Sequence, residues 1–183
     1  GYDVFSKAIK KVLNKYPDWK AKIIGDEKRE QINLSHPNAD ILGFVNHENV
    51  LSIFKKSSIA VACSRWEEPF GRTSLEASAN GCAVIITDKG GLPETVTNAK
   101  ILRELSVKKL ERTIINLITD NIQRKNLQKL SLKNFYLTHQ FVTNKIDYYR
   151  AEKLQSKKFF IKKNKSKNFR ILHITNFNER LDG

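Results

Sequence analysis

The chain has 183 residues, of which 40% are hydrophobic and 28% are charged, and this balance is typical of a globular domain and excludes a disordered chain. It contains no run of about 18 apolar residues and opens with no secretory signal, so we expect neither a membrane span nor export, and predict a cytoplasmic protein. The formal net charge of +14 favours an anionic partner, but no RNA-binding aromatic signature, helix-turn-helix or zinc spacing accompanies it, so nucleic acid is not the expected partner.

The first part of the chain alternates between helical and extended patterns. Apolar residues at helical spacing, with lysines opposite them, predict an amphipathic helix from Asp3 to Tyr16. A short strand over Trp19–Ile24 and a helical stretch over Gln31–Leu34 are expected next. A strand over Ala39–Val45 then leads to a helix over His47–Lys56, for which Asn46 is a suitable N-cap.

The middle of the chain carries the pattern of a βαβ unit. Apolar runs at Ile59–Ser64 and Ala83–Thr87 flank a helix predicted over Thr73–Asn80, where Gly81 suits the left-handed residue that ends a helix. The remaining expected elements are an edge strand and three helices, over Lys100–Leu102, Val107–Thr119, Asn121–Tyr136 and Gln140–Gln155. Alternating strands and helices predict an α/β fold with a doubly wound, Rossmann-like parallel sheet.

The turn between Ile59–Ser64 and the following helix is a candidate binding site. Pro69 and Gly71 interrupt regular structure just before the helix begins. A helix that starts beyond the carboxyl end of a strand presents free N–H groups and the positive end of its dipole, which suits phosphate or another anion. Glu68 and Glu76 lie eight residues apart around this turn, and carboxylates accept hydrogen bonds from sugar hydroxyls.

These residues also carry a resemblance to a known family. The run Glu68-Pro69-Phe70-Gly71, followed by Leu75-Glu76-Ala77 and Gly81, resembles the E-x7-E signature of retaining, family 4 glycosyltransferases with the GT-B fold. The run Gly90-Gly91-Leu92-Pro93-Glu94 is similar to the glycine-rich loop of that family. Two further segments, Lys22–Asp26 and Ile41–Val45, fit the second and third strands of that family. The resemblance extends from about residue 1 to residue 154.

The resemblance implies a role for each of the two glutamates and for the turn between them. Glu68 would act at the catalytic centre by accepting hydrogen bonds from the donor sugar, and Glu76 would bind the nucleotide ribose. The alternatives are a helix-dipole partner for Glu68 and an exposed helix glutamate for Glu76. The backbone N–H groups that would face the sugar and the phosphates belong to Phe70, Gly71, Arg72 and Thr73.

Three further residues complete the predicted donor-binding set, and both Phe44 and Arg72 have a second possible role. Gly25, Phe44 and Val45 would lie near the nucleotide, although Phe44 is equally suited to the core. Arg72 is either a substitute cation for phosphate or a solvated arginine. Cys63 and Cys82 have no metal spacing and are expected to be small buried hydrophobic residues.

The family likeness implies the carboxyl-terminal, donor-binding half of an enzyme that moves a hexosyl group from a nucleotide-diphosphate sugar with retention. No metal or other cofactor is needed, because the helix dipole and cations would stabilise the diphosphate. The acceptor, carbohydrate or lipid-linked, would bind an amino-terminal domain, and an anionic membrane surface is an expected partner. The alternatives are a nucleotide-sugar 2-epimerase and a noncatalytic nucleotide-sugar-binding or assembly module.

Comparison with the family pattern also predicts a fragment. Residues 1–155 would form the donor-binding domain without its first strand, and the Arg and Lys that hold the diphosphate would lie upstream, so this chain alone is expected not to turn over. Residues 156–168 are a basic linker, and residues 169–183 contain a strand that begins a further unit or fills the vacant central position, within the chain or by swapping between copies. A disordered or externally docked tail is the alternative.

Overall fold

A computed structural model of the chain describes residues 1–25 and 34–156. The chain divides into two compact units, residues 1–142 and residues from 143 onward. Residues 31–33 of the predicted helical stretch, the basic linker from residue 157 and the terminal strand at 169–183 lie outside the described residues.

The described elements follow the order that the hydrophobic pattern predicts. They are α1 (Tyr2–Lys15), β1 (Ala21–Ile24), β2 (Ala39–Gly43), α2 (His47–Lys55), β3 (Ile59–Ala62), α3 (Arg72–Ala79), β4 (Ala83–Thr87), a 3-10 helix (Leu92–Thr95), β5 (Ala99–Leu102), α4 (Val107–Thr119), α5 (Asn121–Lys133) and α6 (His139–Ser156). A 3-10 helix forms in the segment predicted as a glycine-rich loop. The largest other differences lie at element ends: β1 begins at Ala21 instead of Trp19, β2 ends at Gly43 instead of Val45, β3 ends at Ala62 instead of Ser64, and α5 ends at Lys133 instead of Tyr136.

All described strands pair in parallel, in two ladders. One contains β1 and β2, with Ala21 opposite Ala39, and the other has the order β3-β4-β5, with Ile59 opposite Ala83. Parallel strands joined by helices require crossovers that place helices over the sheet faces. The α/β, Rossmann-like class predicted from the sequence is therefore confirmed.

Helices cover both faces of the second ladder, and β4 shows this most clearly because all of its residues are buried. Ala83 and Ile85 belong to a core cluster that includes the buried faces of α1 and α4. Val84 and Ile86 belong to a second cluster with Phe54 of α2 and Ala77 of α3. Since successive side chains of a strand point to opposite faces, β4 separates these two apolar layers.

The beginning of α1 lies close to the carboxyl ends of both β1 and β3. The Tyr2 hydroxyl donates to the carbonyl of Ile24 at 2.5 Å, and the Cys63 thiol lies 3.8 Å from the carbonyl of Gly1. Cys82 is fully buried, as predicted, but Cys63 is only partly buried because it follows the end of β3. The prediction of burial was therefore wrong for Cys63.

The described part of the second unit, residues 143–156, continues helix α6. The rings of Tyr148 and Tyr149 meet edge to face there, with centroids 5.8 Å apart. Among the helices in residues 1–25 and 34–156, none is both long enough and apolar enough to cross a membrane.

Candidate functional site

The predicted site residues follow the carboxyl ends of three parallel strands. Gly25 follows β1, Phe44 and Val45 follow β2, and the turn that contains Glu68 follows β3. The Gly25 N–H donates to the carbonyl of Gly43 at 2.9 Å, which ties the first two of these loops together. Phe44 is 83% exposed, so the alternative that placed it in the core is excluded. Ligands of open α/β sheets bind at this edge.

Helix α3 begins in this turn without a side-chain cap. Its N-cap is Gly71, with φ of 92°, a conformation that glycine adopts without a steric penalty. By contrast, α2 is capped by Asn46 as predicted, and α4 is capped by Ser106. The first-turn amides of Arg72 and Thr73 therefore lie at an uncapped helix N-terminus, the local geometry that favours an anion.

The glycine-rich loop after β4 packs directly against the backbone of Glu67 and Glu68. The Gly91 N–H donates to the Glu68 carbonyl at 2.7 Å, and the Gly90 N–H donates to Glu67 Oε2 at 2.5 Å. Hydrogen bonds from Lys89 and from the Gly90 amide lower the pKa of the Glu67 carboxyl. This loop fixes the backbone from which Glu68 projects.

A cross-link inside the fold holds the first turn of α3 to the 3-10 helix. The Ser74 hydroxyl donates to the Gly71 carbonyl at 2.8 Å and lies 2.7 Å from Thr95 Oγ1, which in turn bonds the Leu92 carbonyl. Ser74 and Thr95 are both buried, so each hydroxyl needs such a partner. The result is a rigid frame around the start of the helix.

The side chain of Glu68 has a partner that the sequence analysis missed. Trp66 donates its indole N–H to Glu68 Oε1 at 3.0 Å, and Trp66 itself is 67% exposed. A large aromatic residue in a polar turn, two positions before an acid, is the signal that would have identified it. Phe70, in the same turn, is also exposed.

Glu76 lies on the second turn of α3 and has two cationic or potentially cationic neighbours. Its Oε1 atom accepts a hydrogen bond from Arg72 Nη2 at 3.3 Å and lies 3.1 Å from His47 Nε2. The Glu76 side chain is 18% exposed, so the alternative of a plain exposed helix glutamate does not describe it. Arg72 is 74% exposed, as the solvated-arginine alternative expects, and its guanidinium contacts Glu76.

His47 was not among the residues predicted for the site. Its position carried a usable signal: Asn46 caps α2, so His47 is the first residue of a helix at the same edge of the fold. Within the parts of the chain that the structure describes, no three His, Cys, Asp or Glu side chains are grouped as metal ligands.

Comparison with known proteins assigns this chain to a family. The family model described as "Glycosyl transferases group 1" matches residues 1–133. The chain belongs to this family. Among curated relatives, the GDP-mannose-dependent monoacylated alpha-(1-6)-phosphatidylinositol monomannoside mannosyltransferase of Corynebacterium glutamicum is 30% identical over 138 residues, which cover 68% of this chain and 36% of that protein.

Solved structures share the fold of this chain. The C-terminal domain of the group 1 family protein LpcC from Francisella tularensis matches with a TM-score of 0.62 and 28% identity, covering 71% of this chain and 74% of that one. Anabaena HepE, solved with UDP and glucose, has the same fold, with a TM-score of 0.64 at 22% identity over 82% of this chain and 44% of HepE. The resemblance to the carboxyl-terminal domain of a GT-B glycosyltransferase is confirmed.

The chain spans less than half the length of the curated relatives that it matches. The matched part is 36% of the mannosyltransferase and 39% of spore coat protein SA from Bacillus subtilis, which is 24% identical over 72% of this chain. The family assignment therefore establishes the kind of domain that this chain forms.

Proposed function

We propose that this domain binds the nucleotide-diphosphate sugar donor of a retaining hexosyltransferase. The proposal is supported by membership of the group 1 family and by the solved relative HepE, whose structure contains UDP and glucose. The observation that carries it is the uncapped N-terminus of α3, which has Glu68 just before it and Glu76 on its second turn. Anionic, sugar-bearing ligands match amides flanked by carboxylates.

In the proposed complex, each predicted residue has one task. The amides of Phe70, Gly71, Arg72 and Thr73 bind the diphosphate and the adjoining sugar, and Glu68 accepts hydrogen bonds from the hydroxyls of that sugar. Glu76 accepts hydrogen bonds from the ribose. Gly25, Phe44 and Val45, in the loops after β1 and β2, border the nucleotide, where the exposed Phe44 ring offers a stacking surface for the base.

The chemistry of transfer places negative charge on the leaving phosphate oxygens, while cationic character develops on the sugar. Helix amides directed at those oxygens stabilise the leaving group, and this electrostatic effect requires no divalent metal. Arg72, the basic residue of the first turn, is 74% exposed and forms an i,i+4 pair with Glu76. We propose that this chain binds the donor but does not turn it over by itself, since transfer also needs a bound acceptor.

The proposed acceptor is a carbohydrate or a lipid-linked carbohydrate, bound by an amino-terminal domain, and the proposed further partner is an anionic membrane surface. Helices α1 and α4 pack on one side of the fold and carry seven basic residues against two acidic ones. Helices α2 and α3, on the other side, carry two of each. Among these four helices the basic excess lies on α1 and α4, and each basic residue near an anionic lipid surface would contribute about 1 kcal/mol to binding. Helix α5, which contacts both α3 and α4, carries four further basic residues and no acidic one.

Titration with UDP, GDP and their hexose conjugates tests the proposal. We expect one nucleotide series to bind, and Glu76→Ala to weaken that binding. Glu111→Ala is the matched control, because Glu111 is also a partly exposed, ion-paired helix glutamate but lies on α4. If the chain binds neither series at millimolar concentration, the alternative of a noncatalytic scaffold is favoured. Transfer or epimerisation by the purified chain would contradict the proposal that it binds the donor without turning it over.

A further inference from the structure

We propose, building on the proposed function, that His47 is a positioning residue that sets the ribose selectivity of the site. In this inference, His47 holds Oε1 of Glu76 so that the other carboxylate oxygen, Oε2, is presented to the ribose hydroxyls. The role is indirect: His47 acts on the nucleotide through Glu76.

The geometry at Glu76 gives the first support. Both His47 Nε2 and Arg72 Nη2 approach the same oxygen, Oε1, at 3.1 and 3.3 Å. A carboxylate has two oxygens with about four acceptor sites in all. Two donors gathered on one oxygen fix the rotation of the carboxylate and direct the remaining acceptor capacity through Oε2.

Burial distinguishes the acid from its partners. The Glu76 side chain is 18% exposed, whereas His47 is 57% exposed and Arg72 is 74% exposed. A carboxylate that has lost much of its water is more dependent on each remaining hydrogen bond than an exposed one. The orientation of the Glu76 carboxylate therefore depends strongly on its hydrogen bonds to His47 and Arg72. The two exposed partners can replace a lost bond to Glu76 by one to water.

His47 is better suited than Arg72 to set that orientation. Arg72 belongs to the same helix as Glu76, four residues earlier, and its contact is of the exposed i,i+4 type that contributes little. His47 reaches Glu76 from a different helix, α2. The start of α2 is fixed by the Asn46 side chain, which accepts from the Asn49 N–H at 3.0 Å.

This link also connects the two ligand-facing loops. His47 comes two residues after Val45, in the segment that follows β2, while Glu76 belongs to the helix that follows β3. The imidazole therefore fixes the ribose-binding acid relative to the loop proposed to border the nucleotide. A nucleotide that contacts this loop and also donates its ribose hydroxyls to Glu76 would bind more tightly than one that lacks these hydroxyls.

The experiment compares the wild-type chain and its variants on two ligands. The ligands are whichever of UDP and GDP binds, and its 2′,3′-dideoxy analogue, which lacks both hydroxyls. The measured quantity is the ratio of the two dissociation constants by calorimetry. Because hydrogen bonds to a charged group are involved, we expect the wild-type ratio to be about tenfold or more.

Three variants identify the contribution of His47. Glu76→Ala should bring the ratio close to one, and His47→Ala should lower it most of the way to that value. His47→Gln keeps an N–H donor and should retain much of the ratio. His139→Ala is the matched control, because His139 is likewise the exposed first residue of a helix, α6, and should leave the ratio unchanged.

The outcomes separate this inference from the proposed function. If the wild-type chain binds no nucleotide, both fail. If Glu76→Ala brings the ratio of dissociation constants close to one but His47→Ala leaves it at the wild-type value, the proposed function stands and the role of His47 is refuted. If the double variant His47→Ala, Glu76→Ala binds both ligands more weakly than Glu76→Ala alone, His47 acts on the ligand directly, and the positioning role is likewise refuted.

Discussion

Substituting Gly90 by alanine tests whether the glycine-rich loop holds Glu68 in place. Gly90 has a φ of 54°, and a Cβ added there would lie 2.2 Å from the carbonyl oxygen of Glu68 and 2.6 Å from its nitrogen. Both atoms belong to the backbone, so no side-chain rotation relieves the overlap. The loop must move, and the hydrogen bond from the Gly91 N–H to the Glu68 carbonyl must lengthen or break.

The cost can be divided into two parts with two reference variants. A left-handed conformation costs a non-glycine residue about 1–2 kcal/mol, and loss of one backbone hydrogen bond costs about 1 kcal/mol. Gly43→Ala isolates the first part, because Gly43 has a φ of 61° but no atom within 4 Å of its added Cβ. Gly91→Ala tests the second, because Gly91 has an ordinary φ of −80°, and relief of the 2.8 Å contact between its Cβ and the Pro69 carbonyl oxygen would displace the Gly91 N–H that donates to Glu68.

Urea unfolding of the three variants measures these costs directly. We expect Gly43→Ala and Gly91→Ala each to lower the free energy of unfolding by about 1–2 kcal/mol, and Gly90→Ala by about 2–3 kcal/mol or more. Nucleotide affinity should fall for Gly90→Ala and Gly91→Ala, which displace the backbone at Glu68 and Pro69, relative to the wild-type chain. A Gly90→Ala protein no less stable than Gly43→Ala would refute this account of the loop.

Three further outcomes are expected. Nucleotide affinity should be the same before and after treatment with EDTA, because helix amides are proposed to bind the diphosphate; a clear loss would point to a divalent metal. Co-sedimentation with vesicles that contain anionic lipid compares two double variants. Binding should fall more for Lys7→Glu, Lys10→Glu on α1 than for Lys129→Glu, Lys133→Glu on α5, and equal losses would argue against a specific face. Burial raises the pKa of the Cys82 thiol to about 11 from 9.0, so the folded state keeps a proton that the unfolded state loses, and stability should fall as pH rises from 9.0 towards 11. Cys82→Ala should show a smaller fall in its urea midpoint over that range.

Much of the site could be predicted because it depends on local patterns. The sequence of apolar run, glycine-containing turn and helix formers locates β3, α3 and β4, since strand and helix periodicities are read from neighbouring residues. The cap at Asn46 and the left-handed Gly81 follow from the preferences of single residues. Such features are determined within a few positions of the chain.

The contact between His47 and Glu76 was decided by tertiary structure. His47 and Glu76 are 29 positions apart, and no periodicity relates them; they meet because α2 and α3 pack side by side over the same ladder. The same reason explains why Gly90 must be glycine: the atoms that exclude a side chain there belong to residues 67 and 68, across the turn. The sequence determined which residues stand at the carboxyl ends of the strands, and the packing of helices and loops determined which of them touch, because long-range contacts leave no regular spacing in the chain.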